Sequence, residues 1–197
     1  PLVLFQSAPI DRGGRYACAA ALMRHVRTDS YGRMFNNRTL AGPDLGQATK
    51  RTMLSRYKFT LAIENSIAPD YVTEKFFDPL LAGSVPVYRG APNVRDFSPG
   101  PKSYIDASDF GSPRDLARYL NDLAGDETAY AAYFAWRDNP EKAFLDKVAA
   151  IDEAQIARLG RAVRERVERR GVMRPRTIYP FSPARRLFRS LARFSPT

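Results

Sequence analysis

Apolar residues come in short runs along the first two-thirds of the chain, separated by polar loops and helix-spaced patterns. Residues 2–6 open with Leu2-Val3-Leu4-Phe5 and read as a buried strand, which Ser7-Ala8-Pro9 breaks. Residues 11–26 suit a helix that starts near Asp11 or Arg12. A second short strand covers residues 27–31 and closes at Gly32; residues 36–46 are loop, with the turn signal Gly42-Pro43-Asp44. A helix is predicted over 48–56 and a strand over 59–63. Residues 73–81 are helical, with Thr73 as cap and Gly83 as stop. Val85-Pro86-Val87-Tyr88 is a strand whose proline argues for a sheet edge or a strand entry. Residues 103–105 form one more strand. Ser112-Pro113-Arg114-Asp115 combines a serine cap, a proline at the first helical position and an acid three residues after the cap, so a helix runs from there to about residue 123.

Strands alternating with helices predict an α/β fold, a Rossmann-like parallel sheet with helices on both faces. Ligands of such sheets bind at the carboxyl ends of the strands, which singles out loops 7–15, 64–73 and 88–97. Tyr130, Tyr133, Phe134 and Trp136 make a broad apolar face, either packed on the sheet or serving as a binding platform. Residues 141–170 are mostly helical, Pro175, Pro180 and Pro183 interrupt, and residues 184–194 form a last helix.

Charge divides the chain in two. Of the net +10, all is carried by residues 158–197, where twelve arginines face two glutamates; residues 1–157 balance at nineteen of each sign. The expected organisation is a neutral globular domain over 1–157 and a basic helical tail over 158–197. One cysteine, Cys18, excludes a disulfide within the chain and a thiolate cluster, and one histidine, His25, excludes a multi-histidine metal site. No metal and no cofactor are expected. No signal peptide and no run of eighteen apolar residues is present. A start at Pro1, directly on an apolar run, reads as the C-terminal portion of a longer protein.

The segment 59–75 is the richest in chemistry. A strand leads through a polar loop to a helix N-terminus, where free N–H groups and the helix dipole favour an anion. Lys75 adds a positive charge, Glu74 can accept two hydroxyls of a ribose diol, and Asn65 both donates and accepts. The alternative is ordinary: Glu74 favours the helix N-terminus and Lys75 faces solvent. Arg15 follows Gly13-Gly14 just beyond the first strand and is either a phosphate fork or a solvent-facing helical residue. Glu64, at a strand end, suits a general base or a loop anchor. Neither a Gly-x-Gly-x-x-Gly nor a Walker loop occurs.

The chain resembles the α-1,3/α-1,4-fucosyltransferases, glycosyltransferase family 10. The likeness is carried by Tyr57-Lys58-Phe59, Glu64-Asn65-Ser66, Asp70-Tyr71-Val72-Thr73-Glu74-Lys75-Phe76 and Ala82-Gly83-Ser84-Val85-Pro86-Val87. Asp29-Ser30-Tyr31-Gly32-Arg33 matches the family's D-x-Y-G-[RK] element, and Ser103-Tyr104-Ile105, Asp109-Phe110 and Phe134-Ala135-Trp136-Arg137 continue the match over most of residues 1–140. The resemblance implies the C-terminal, GDP-fucose-binding half of a two-domain GT-B enzyme that transfers L-fucose with inversion to N-acetylglucosamine-containing glycans. It implies Arg15 and Lys75 as pyrophosphate partners, Glu74 as the ribose carboxylate, and Asn65 and Tyr71 as contacts near phosphate and fucose. It places the general base in the missing N-terminal acceptor domain, so no catalytic residue is assigned here. Many animal members end in paired cysteines, which this chain lacks; a bacterial enzyme, cytoplasmic and peripheral at the inner membrane, is expected over a Golgi one. Leu187, Phe188, Leu191 and Phe194, flanked by Arg185, Arg186, Arg189 and Arg193, would form a helix that either meets anionic lipid or packs back onto the domain with its arginines in water. The alternatives are a transferase for another nucleotide sugar and, outside enzymes, a basic-tailed nucleic-acid-binding domain; with the charge confined to the tail, nucleic acid is not the expected partner.

Overall fold

The computed structural model describes residues 2–7, 9 and 11–150. Five strands, β1 (Leu2–Leu4), β2 (Thr28–Ser30), β3 (Phe59–Ile63), β4 (Val85–Arg89) and β5 (Ile105–Asp106), form one sheet in the order β2-β1-β3-β4-β5. Every pairing is parallel, with Leu2 opposite both Thr28 and Phe59, Phe59 opposite Val85, and Val87 opposite Ile105. The helices are α1 (Arg15–Met23), α2 (Gln47–Leu54), α3 (Glu74–Ala82), α4 (Pro113–Gly125) and α5 (Glu127–Ala131). Residues 142–150 are also helical.

The alternation of side chains along each strand divides the core in two. Leu2, Leu4, Phe59, Leu61, Ile63, Val85 and Val87 point to one face, where Ala19 and Leu22 of α1 and Leu116, Leu120 and Leu123 of α4 cover them. Ala62 and Tyr88 point to the other face, under Phe76, Phe77 and Leu80 of α3. Val3 meets Leu54 of α2 on that same side. Burial of β1 and β3 on both faces is why their sequences read as continuous apolar runs. Each fully buried leucine or valine contributes about 1.5–3 kcal/mol.

Pro86 lies in an interior strand, so the strand-entry reading holds and the edge reading does not. Val85 N–H donates to Lys58 O at 2.9 Å and Arg89 O accepts from Glu64 N–H, so residues 85, 87 and 89 face β3. Pro86 faces β5, whose pairing starts only at Val87, and the missing N–H interrupts no ladder bond. Helix α1 starts four residues after Asp11, because Gly14 turns the chain at φ 65. Asp11 still serves the helix end, its carboxylate accepting from the N–H of Arg15 at 2.6 Å. The remaining helix signals hold: Thr73 Oγ1 accepts from Lys75 N–H, Gly83 ends α3, and Ser112 Oγ accepts from Asp115 N–H at 3.2 Å. Tyr133 and Trp136 are buried against the sheet helices, so the aromatic segment is core packing. The expected tail, 158–197, lies outside the described residues.

Candidate functional site

From β1 the chain goes out to β2, then returns to the other side of β1 as β3. The crevice beyond the carboxyl ends of β1 and β3 is therefore the topological switch point, where doubly wound sheets take their ligands. The two loops that rise from it are joined, Arg12 N–H donating to Asn65 O at 3.3 Å. A cleft of about 590 Å3 opens there, of the size that holds small molecules and cofactors. Its walls are Leu4, Phe5, Gln6 and Ser7 at the end of β1, Arg15 of α1, Tyr31 and Gly32 after β2, Lys50 of α2, Asn65, and Glu74, Lys75 and Asp78 of α3.

Four of the five residues expected from the sequence thus converge. Arg15 is the first residue of α1 and only 1% exposed, so it is no solvent-facing helical arginine. One of its guanidinium nitrogens donates to the Asn65 side-chain oxygen, which bridges the two loops a second time. Tyr71 is not among the residues lining the cleft; its carbonyl accepts from the Tyr88 hydroxyl at 3.5 Å. The turn that carries it is set by Asp70, at φ 60, whose N–H donates to Asn93 Oδ1 and whose carboxylate accepts from Asn93 Nδ2 at 2.8 Å.

Glu64 is an anchor. Its carboxylate is 1% exposed and accepts from Thr73 N–H at 2.7 Å and from the Thr73 hydroxyl at 2.8 Å, fixing the N-terminus of α3. Lys75 Nζ completes the pair at 3.4 Å. Burial pushes the Glu64 carboxyl above the ordinary carboxylate range, against the opposing pull of Lys75 and Thr73. Lys75 is thereby held on the first turn of α3, with 21% of its side chain exposed. Burial also acts to raise the carboxyl of Glu74, but Lys75 and Lys50 outweigh it and hold the group low, and hence ionised. Glu74 keeps 44% of its side chain exposed.

Sequence reasoning assigned no site role to three parts of the cleft. Asp78 is fully buried on α3 and accepts from Lys50 at 3.0 Å and Arg51 at 3.3 Å, which ties α2 to α3 along the cleft wall. A lone acid between Phe77 and Pro79 was its signal. The second part is the Asp29–Arg33 stretch, which fixes the end of β1. Tyr31 N–H donates to Leu4 O, Met34 N–H to Gln6 O at 2.9 Å, and Arg33 N–H to Ser7 Oγ. A Cβ on Gly32 would lie 2.2 Å from Gln6 O, so no larger residue fits this approach. Tyr31 itself stacks on Phe5 and bonds to the Tyr57 hydroxyl, which in turn donates to Asp29. Gln6 is the third, a polar residue closing an apolar run. Among the described residues no group of three or more His, Cys, Asp or Glu is placed to hold a metal ion.

A parallel α/β unit with basic groups, a helix N-terminus and an ionised carboxylate around its switch-point cleft has the Rossmann-like architecture of the C-terminal half of a GT-B glycosyltransferase. Residues 3–174 match glycosyltransferase family 10 (fucosyltransferase) C-term, and the chain belongs to this family. It is 43% identical over 147 residues to GDP-fucose protein O-fucosyltransferase 3 of Gallus gallus, covering 70% of this chain and 30% of that protein. It is 40% identical over 139 residues to alpha-(1,3)-fucosyltransferase B of Drosophila melanogaster, covering 67% of this chain and 31% of the relative. Among solved structures, an alpha1,3-fucosyltransferase crystallised with GDP-fucose is similar at a TM-score of 0.58 and 28% identity, over 71% of this chain and 38% of that one. The chain thus spans about 30% of the length of the curated relatives it matches.

These relatives correct one expectation. Similarity at 43% and 40% identity to chicken and fruit-fly proteins overturns the placement as a bacterial enzyme at the inner membrane. That placement rested on the absence of the paired cysteines with which many animal members end. No helix among the described residues is long and apolar enough to cross a membrane.

Proposed function

We propose that the chain binds GDP-fucose in the switch-point cleft and supplies the donor half of an inverting fucosyltransferase. The observation that carries this is the convergence of Arg15, Asn65, Glu74 and Lys75, from two separate loop–helix junctions, on one cleft. Arg15, Lys75 and the N-terminus of α3 face the diphosphate and stabilise the charge that develops as GDP departs. Glu74, ionised and open to the cleft, accepts the two ribose hydroxyls. Stabilisation of the leaving group by these fixed charges needs no divalent metal. The acceptor hydroxyl is deprotonated by a carboxylate outside the described residues.

An N-acetylglucosamine-containing glycan is the first acceptor class, the one that the resemblance to the α-1,3/α-1,4-fucosyltransferases implies. A serine or threonine hydroxyl of a polypeptide is the second, favoured by 43% identity to a relative named as a protein O-fucosyltransferase.

The donor reading is tested by titration calorimetry of GDP and GDP-fucose in the presence of chelator. Binding is expected without metal; binding that disappears with chelator and returns with magnesium would refute the metal-free site. Glu74→Ala is expected to weaken GDP about 10-fold, the scale of a charge-assisted hydrogen bond. The 2′,3′-dideoxy nucleotide, which lacks the hydroxyls, should bind both proteins alike. A loss for the dideoxy nucleotide equal to that for GDP would move Glu74 away from the ribose.

A further inference from the structure

We propose that Gln6 is a further donor-binding residue, its side-chain amide donating a hydrogen bond to a phosphate oxygen of the nucleotide held in the cleft. The inference rests on the GDP-fucose reading above. Gln6 follows Leu4 and Phe5 at the carboxyl end of β1, the strand flanked by β2 and β3. The residue is 5% exposed, its Nε2 is buried with no hydrogen-bond partner among the described residues, and it lines the cleft. A buried amide donor has given up its water and needs an acceptor in exchange.

The backbone offers no escape to solvent. Gln6 O accepts from Met34 N–H at 2.9 Å, and Gly32 packs directly against the Gln6 peptide. The acceptor must therefore come to the side chain. The loop that begins at Gln6 leads to Arg15, the buried guanidinium at the start of α1, and a first strand–helix turn of this kind is where doubly wound sheets receive phosphate. Phosphate oxygens are pure acceptors, which matches a pure donor such as an amide NH2. Gln6 and Arg15 line the same cleft, so a diphosphate paired with Arg15 carries its acceptor oxygens into the space that Gln6 borders.

Two variants of the full chain test this by GDP titration and thermal unfolding. Gln6→Leu removes the donor and adds no polar group. The unliganded variant is expected to unfold at the same or a higher temperature than wild type, while the Kd for GDP rises about 10-fold. Gln6→Glu keeps the shape but sets a carboxylate against the phosphates, and a Kd raised about 100-fold is expected. Unchanged GDP affinity in Gln6→Leu would overturn the proposal. So would a lowered unfolding temperature or loss of folding in that variant, which would give the amide to the fold, or a Gln6→Glu that binds GDP no worse than Gln6→Leu. If wild type itself fails to bind GDP, the donor reading fails first and separately.

Discussion

The Lys75 ammonium sits between a buried carboxylate and an open cleft, and its removal has two consequences. Lys75→Ala strands Glu64, so it is expected to lower stability by about 1–3 kcal/mol as well as to weaken GDP binding. The double variant Lys75→Ala, Glu64→Gln removes the stranded charge. It should recover most of the stability in urea unfolding and none of the GDP affinity; recovery of both would show that Lys75 only supports Glu64. The Glu64 carboxyl is raised in the fold, chiefly by burial. Its contribution is therefore fully present below the unfolded carboxylate pKa and is lost as pH rises through the higher folded value. The stability of wild type relative to Glu64→Gln should fall with rising pH across that window and level off above it. In the Lys75→Ala background the window should extend to higher pH. A relative stability that rises with pH over the same range, in urea unfolding from pH 4 to 8, would contradict the burial-dominated carboxyl. At this scale the family resemblance grouped Arg15, Asn65, Glu74 and Lys75, and the fold brings the four to one cleft. The resemblance did not show that Arg15 is buried, that Glu64 is an anchor, or that Tyr71 stands off the cleft, because those facts depend on neighbours remote in sequence.

Among the elements, the end of β1 depends on the loop after β2. Gly32→Ala would drive a Cβ into the Gln6 backbone, which has no side-chain freedom with which to yield. A loss of about 1–3 kcal/mol is expected, with weaker GDP binding because Gln6 and Ser7 move with the strand end. Thermal unfolding and titration on the same preparation check this; a variant with both unchanged would show that the loop can retreat. The helix starts at Thr73 and Ser112 were legible because their signals are local: a hydroxyl capping an N–H two or three residues on. The proline of β4 was ambiguous for the converse reason. Whether its missing N–H matters depends on where β5 begins, and nothing near Pro86 records that.

At the scale of the whole molecule, the strand order brings the β1–α1 and β3–α3 loops together, though Arg15 and Asn65 are fifty residues apart. The 197-residue chain by itself is expected to bind GDP-fucose and to transfer no fucose at an appreciable rate. The chain spans about 30% of the length of its curated relatives, and loss of a general base alone costs about 100- to 10,000-fold. A radiolabelled transfer assay with glycan and peptide acceptors checks this; product at full enzyme rate would place the base within the chain.

What the sequence determined alone was the α/β alternation, the family and the helix caps, because these follow from local periodicity, contiguous motifs and cap chemistry. Tertiary structure decided the role of each polar group. Glu64 and Asp78 became buried anchors, Asp29–Arg33 a brace for β1, and Gln6 a buried residue of the cleft lining. The physical reason is that burial and partnership arise from strand order and helix packing, which join residues from distant parts of the chain. A side chain's chemical type states what it can bond, and only the fold states what stands within reach.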